Sequence, residues 1–166
     1  MILKEKILFN KEECDSIIWS TTKNITNWNQ EDRVYNSQTI NYSLETKWLF
    51  DKLKDFFEFE TGLEIKNIKE EIHFHKFVKN NWFGKHNDVR DNRMYAIGVL
   101  LNDDFEGGDF KFYNPNEYTM NNKLGNTYIF DVRIEHEVAP IKNGDRYSLL
   151  WFLQHEHIKP IINKII

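Results

Sequence analysis

The sequence predicts an α+β fold that is mainly β, with two helices leading a sandwich or barrel of short strands. Three observations carry this. Apolar residues recur at three- and four-residue steps ahead of Gly62, short segments rich in Ile, Phe, Val and Tyr follow it, and clusters of turn-forming residues separate those segments. The chain has 166 residues, 40% hydrophobic and 15% aromatic, which is enough apolar material for one sizeable core. No repeat, low-complexity tract or linker divides it, so residues 1–166 are expected to form one domain, helical to about residue 62 and β from about 63 to 155.

The opening MILKEKILFN alternates charge with apolar groups and lacks the continuous apolar run of a secretory leader, so a cytoplasmic protein is expected. Asn10 and Glu13 form a capping box for a helix over Lys11–Thr22. Cys14, the single cysteine, sits beside Ile17 and Ile18 in that helical pattern and reads as a buried thiol. The segment from Trp28 to Thr39 has no clear period and reads as a loop entering a strand. From Ser43 the spacing of Leu44, Trp48, Leu49, Leu53, Phe56 and Phe57 predicts a second, longer helix ended by Gly62, with Trp48, Phe56, Phe57 and Phe59 as core. Turn signals then fall at residues 79–81, 103–108, 114–116, 121–126 and 142–145. The longest apolar runs, Ala96–Leu101 and Leu149–Leu153, are far short of the roughly 20 residues of a membrane-spanning helix.

A net charge of -4, with lysines scattered among acids, forms no basic stripe, so a nucleic-acid partner is not expected. The abundance of Asn, Ile and Lys beside only two alanines suggests an AT-biased genome such as a virus or phage, in which case the host cytoplasm would be the compartment.

His86 and Asp88, one residue apart, share a face of an extended segment and can grip one ion together. With six histidines and 26 acids, about one such pair is expected by chance, so context must decide. The third ligand stays open among His136 and the pairs His73/His75 and His155/His157. Histidines in amphipathic strands are more often hydrogen-bonded or solvent-facing than metal-bound, and His155 and His157 fall in a polar tail. Two histidines and a carboxylate leave three positions open on iron, two for a bidentate oxoacid and one for dioxygen. A guanidinium on a neighbouring strand would hold the far carboxylate of that acid, and Arg146 is placed for this, with Ser148 two residues on and on the same face. The bland reading of Arg146 is a structural ion pair with Asp145 or Glu137.

The ordered segments HND at 86–88, FEGGDFKF at 105–112, LGNTYIF at 124–130, HEVAP at 136–140 and GDRYSLLWF at 144–152 together resemble the prolyl 4-hydroxylase-like branch of the 2-oxoglutarate oxygenases. The resemblance covers about residues 70–153, and more weakly FNKEECDSII and RVYNSQT resemble that family's first helix and the strand after it. It implies a double-stranded β-helix (jelly-roll, cupin-like) core with the N-terminal helices packed on one sheet. It makes His86, Asp88 and His136 the catalytic Fe(II) ligands and Arg146 the anchor of 2-oxoglutarate, with O2 as oxidant and ascorbate as supporting reductant. Gly107-Gly108 would form a tight turn, Arg93 matches a basic residue often found on the following strand, and Trp28, Arg33 and Tyr35 sit in a loop that often covers substrate. Phe77, Phe83 and Leu100 depart from the pattern, standing where tyrosines are frequent. Strand parity turns Tyr95 to the other face from Leu100, so it does not compensate. Trp151 falls one residue early for the family's final-strand tryptophan, and Phe152 would fill its place.

The function expected from this resemblance is hydroxylation of a prolyl residue in a protein or peptide. Rival readings are a hydroxylase of a free amino acid, small metabolite or modified nucleobase, a non-catalytic jelly-roll binding module, and a zinc hydrolase, which gives Arg146 no role.

Overall fold

The computed structural model describes residues 3–23, 29–31, 35–67, 71–90, 92–113 and 116–160. In chain order the elements are β1 (Leu3–Ile7), α1 (Lys11–Thr22), β2 (Asn29–Glu31), β3 (Tyr35–Ile40), α2 (Lys47–Thr61), β4 (Leu63–Ile65), β5 (Ile72–Phe77), β6 (Phe83–His86), β7 (Arg93–Leu100) and β8 (Glu106–Gly107). They continue with β9 (Phe110–Phe112), β10 (Tyr118–Thr119), β11 (Asn126–Asp131), β12 (His136–Val138), β13 (Ile141–Asn143), β14 (Arg146–Gln154), a 3-10 turn (His155–His157) and β15 (Ile158–Pro160).

Seven strands form a major sheet in the order β1-β11-β7-β14-β5-β3-β2, and four form a minor sheet in the order β10-β9-β12-β6. All pairings are antiparallel, and strands remote in sequence are neighbours, as when β1 pairs β11 and β14 lies between β5 and β7. This is the double-stranded β-helix, with the two helices on the back of the major sheet.

The period of two along β14 sorts its side chains between two cores. Leu149, Trp151 and Leu153 join the cluster that also takes in Leu49, Phe50, Leu53, Phe56 and Phe57 of α2 and Cys14 and Ile17 of α1. There Phe50 meets Trp151 edge to face, ring centroids 5.2 Å apart. Each such fully buried side chain contributes roughly 1.5–3 kcal/mol. On the opposite face Arg146, Ser148, Leu150 and Phe152 line a cavity between the sheets, beside a second cluster built on Phe77, Phe110, Phe112, Tyr128 and Phe130. Tyr95 packs on Phe57 at 5.6 Å, on the helix side as parity requires, and Phe152 rather than Trp151 faces the cavity.

The capping box of α1 is present in both directions: Asn10 Oδ1 accepts from the Glu13 amide at 2.9 Å, and Glu13 Oε1 accepts from the Asn10 amide at 3.1 Å. Cys14 is fully buried, and that burial pushes its thiol up to about 12. α2 starts at Lys47, later than the apolar spacing suggests. Residues 43–46 form a turn in which Thr46 Oγ1 accepts from the Ser43 amide at 2.8 Å and donates to the Asn41 carbonyl at 2.7 Å. Leu44 is consequently exposed, and Phe59 and Trp48 also lie largely outside the core, contrary to the expectation from helical spacing.

The part of the chain before residue 62 is not purely helical, because β1, β2 and β3 extend the major sheet. β1 escaped the pattern reading because only Leu3 and Ile7 of LKEKI are apolar, and at this sheet edge Ile7 is exposed. The Glu5 carboxylate accepts from the Asn121 amide at 2.9 Å, from Asn126 Nδ2 at 2.7 Å and from the Tyr118 hydroxyl, tying β1 to the turn before β11. The Gly107-Gly108 turn has φ of 77° and 67°, and a Cβ on Gly107 would lie 2.4 Å from the Pro140 carbonyl oxygen. Among the described residues no helix is long and apolar enough to cross a membrane. Trp28, Asp32 and Arg33 lie outside the described residues; Tyr35 opens β3 and lines the cavity.

Candidate metal centre

Strand pairing builds the site. His86 ends β6 and His136 begins β12, and the two are register partners, so their side chains emerge on one face with ring centroids 4.4 Å apart. Asp88 follows two residues beyond His86, held by its backbone amide on the Val132 carbonyl at 2.9 Å. Its carboxylate reaches back to both rings, Oδ1 at 3.4 Å from His86 Nε2 and Oδ2 at 3.1 Å from His136 Nε2. The three atoms that could hold a metal ion lie within 4.8 Å of one another, the one such group among the described residues.

The donor set suits a divalent transition metal on three counts. His86 Nδ1 donates to the Gly84 carbonyl at 2.6 Å and His136 Nδ1 to the Ile134 carbonyl at 2.9 Å, which leaves each Nε2 lone pair facing Asp88. The Asp88 Oδ2 atom is buried with no hydrogen-bond donor. Burial works against the Asp88 charge, yet His136 and His86, when they carry a proton on Nε2 and donate it, outweigh burial and hold the carboxyl well below the usual carboxylate range, and a metal ion would take the place of those protons. Aromatic rings fix the imidazoles: Phe110 stacks on His136 at 5.3 Å, Phe130 meets it edge-on at 4.9 Å, and Phe83 lies 3.9 Å from His86.

Arg146 and Ser148 line the same cavity from the major sheet. Arg146 is only 2% exposed, and its Nη1 donates to Ser148 Oγ at 3.2 Å while its Nε has no partner. Burial lowers its pKa, but a guanidinium stays charged. The ion-pair reading fails: Asp145 lies 3.9 Å from Lys76 Nζ, Glu137 accepts from the Tyr113 hydroxyl at 2.5 Å, and no acid pairs with Arg146 among the described residues. A buried cation without a counter-ion is costly unless an anion joins it.

The other histidines divide. His73 and His75 line the cavity but stand outside the three-ligand group, and burial, then the charges of His73 and Arg146, push His75 down to about 3, so it is neutral. His155 and His157 lie in the 3-10 turn beyond β14, away from the cavity. Phe77 and Phe83 stack about Tyr35 at 4.9 and 5.5 Å and form an apolar wall where hydroxyls were missing from the sequence. Arg93 lays its guanidinium on Phe152, 3.6 Å from the ring centroid. Sequence reasoning missed Tyr128, which also lines the cavity. Its signal was Gly98, an isolated glycine inside a strand pattern, which marks close approach of another group.

A jelly roll that presents two histidines and one carboxylate with open positions is the architecture of the non-haem iron oxygenases. The profile of the 2OG-Fe(II) oxygenase superfamily matches residues 72–154, half of the chain, and the chain belongs to that superfamily. It is a 2-oxoglutarate-dependent dioxygenase, and Fe(II), 2-oxoglutarate and O2 are the family's requirements. The fold is of the prolyl 4-hydroxylase-like type. A Pseudomonas putida prolyl-4-hydroxylase superposes with a TM-score of 0.72 at 18% identity, covering 92% of each chain. A viral collagen prolyl hydroxylase from Paramecium bursaria Chlorella virus-1, in its 2OG complex, gives 0.72 at 15% identity over 98% of this chain and 97% of that one. A Trichoplax adhaerens prolyl hydroxylase, bound to a hypoxia inducible factor oxygen degradation domain peptide fragment, gives 0.73 at 14% identity over 93% and 84%. No curated protein sequence matches.

Proposed function

We propose that His86, Asp88 and His136 hold the ferrous iron, that Arg146 with Ser148 takes the distal carboxylate of 2-oxoglutarate, and that the substrate is a prolyl residue of a protein or peptide. The observation that carries the cosubstrate assignment is the buried Arg146, charged and without an acidic partner, in the same cavity as the three-ligand group. When bound, iron with 2-oxoglutarate and O2 supplies an oxidant that hydroxylates a C–H bond and releases succinate and carbon dioxide. The chain's own residues orient and shield. The Gly84 and Ile134 carbonyls fix the imidazole tautomers, Arg146 sets the direction of the oxoacid, and the rings of Phe77, Phe83 and Phe110 keep water from the reacting atoms.

The prolyl assignment is supported by the fold shared with prolyl hydroxylases, one of them bound to a peptide. Ascorbate fits as the reductant that keeps iron ferrous. A zinc hydrolase would leave Arg146 buried and idle.

Anaerobic addition of Fe(II) and then 2-oxoglutarate to the apoprotein is expected to produce the weak visible charge-transfer band of a chelated oxoacid. His136→Ala should abolish iron binding, and Arg146→Ala should need far more cosubstrate, by about 100-fold or more. No band with iron demonstrably bound would end the 2-oxoglutarate reading. Mass spectrometry of proline-containing peptides after aerobic turnover tests the substrate: a gain of one oxygen on proline supports it, and succinate formed only with free amino acids or other small molecules would replace it.

A further inference from the structure

The cavity has two ends. Arg146 opens β14 at one of them, and Phe152 stands six residues along the same strand at the other, roughly 20 Å away. A five-carbon diacid seated on Arg146 does not span that length, so the Phe152 end is left to the substrate.

Arg93 reaches this end through an irregularity in β7. Strand parity alone would put it on the helix side with Tyr95, two residues on. The pairing of β7 with β14 shifts by one residue between Leu153↔Tyr95 and Gln154↔Arg93, and the extra residue, Met94, packs against the helix-side core to which Tyr95 belongs. The bulge turns Arg93 into the cavity, where its guanidinium carbon lies 3.6 Å from the ring centroid of Phe152. His73 lies 5.9 Å from the same ring, and Arg90, exposed and two residues past Asp88, also lines the cavity.

Among the described residues of the lining, the fixed charges are three guanidiniums and one carboxylate, Asp88. The charges of a ferrous ion and of the 2-oxoglutarate dianion cancel, so loading the site leaves the positive surplus of the lining unchanged. With Arg146 given to the cosubstrate and Asp88 to the metal, that surplus rests on Arg90 and Arg93. Phe152 covers one face of the Arg93 guanidinium and sets its plane, and the N–H donors of a guanidinium lie in that plane. A cleft lined by one sign of charge concentrates ligands of the other.

We infer that the Arg93 end of the cavity receives an anionic side chain, and that the substrate is an acidic peptide with Asp or Glu beside the residue to be hydroxylated. The inference rests on the peptide reading above.

The test uses three peptides that differ only in their centres, Glu-Pro-Glu, Gln-Pro-Gln or Lys-Pro-Lys. Each is bound anaerobically to the protein loaded with Fe(II) and 2-oxoglutarate, and Kd is read by fluorescence anisotropy. The Glu peptide should bind about ten-fold more tightly than the Gln peptide, the effect of one charge-assisted contact, and the Lys peptide more weakly than either. The Glu preference should shrink as salt is raised. Combining Arg90→Gln with Arg93→Gln should bring the Glu and Gln peptides to the same Kd, and Arg93→Glu should shift the preference toward Lys. Thermal melts report whether each variant is folded, and a purely structural role would weaken all three peptides alike. Equal Kd values for the three in the wild type, or a Glu preference that survives in the double variant, would overturn the inference. Oxygen gained on proline in air without any preference would sink the inference and leave the prolyl reading standing. A Glu preference in binding with no oxygen on proline would support the inference and remove the prolyl reading.

Discussion

His75 shows how the cavity constrains a single titratable group. Its ordinary value is 6.5 and the folded value is about 3, so between these the unfolded chain binds a proton that the folded chain refuses. Stability should therefore fall as pH drops from about 6.5 toward 3, and His75→Gln, which cannot titrate, should flatten that slope in thermal melts of the apoprotein. Cys14 gives a second prediction at this scale. With its thiol buried and pushed up to about 12, a thiol reagent at about pH 8 should label it only after denaturant unfolds the chain. What was legible here followed from local geometry. His86 and Asp88 share a face because they are one residue apart, and Arg146 and Ser148 do so for the same reason. Gly98 signals a close approach within its strand, but that Tyr128 makes it depends on the register between β7 and β11, which no local pattern encodes.

The second helix, α2, illustrates what spacing can and cannot say about an element. Leu49, Phe50, Leu53, Phe56 and Phe57 form the buried stripe, and Phe59 lies roughly 120° round the helix from its centre. Leu53→Ala should cost about 2–5 kcal/mol, while Phe59→Ser should stay within about 0.5 kcal/mol, as chemical denaturation would measure. The helix start was misread for a related reason. Leu44 matches the period, but the hydrogen bonds of Thr46 to Ser43 and Asn41 close a turn that holds it out of the helix. Periodicity reports which residues could share a face; side-chain hydrogen bonds at the boundary decide which do.

Across the whole molecule, the alternating segments after Gly62 were enough to expect a sandwich or barrel, and the ordered motifs pointed to the double-stranded β-helix. The edge strand β1 was hidden because its partner β11 lies more than a hundred residues later in the chain. Pairings that distant also set an order of events during synthesis. β14, the longest strand, fills the gap between β5 and β7 and carries Arg146 and Ser148, yet it is made after both neighbours. Until it leaves the ribosome, β5 and β7 wait with open inner edges, a template for pairing with other chains. A chain stopped at Asp145 should therefore partition more into the insoluble fraction than residues 1–166 do, as centrifugation of expressing cells' lysates would show. The Arg146 and Ser148 wall of the cavity and the closure of the major sheet are thus achieved in the same late moment of translation, so the chain completes its cavity only as it buries its own edges.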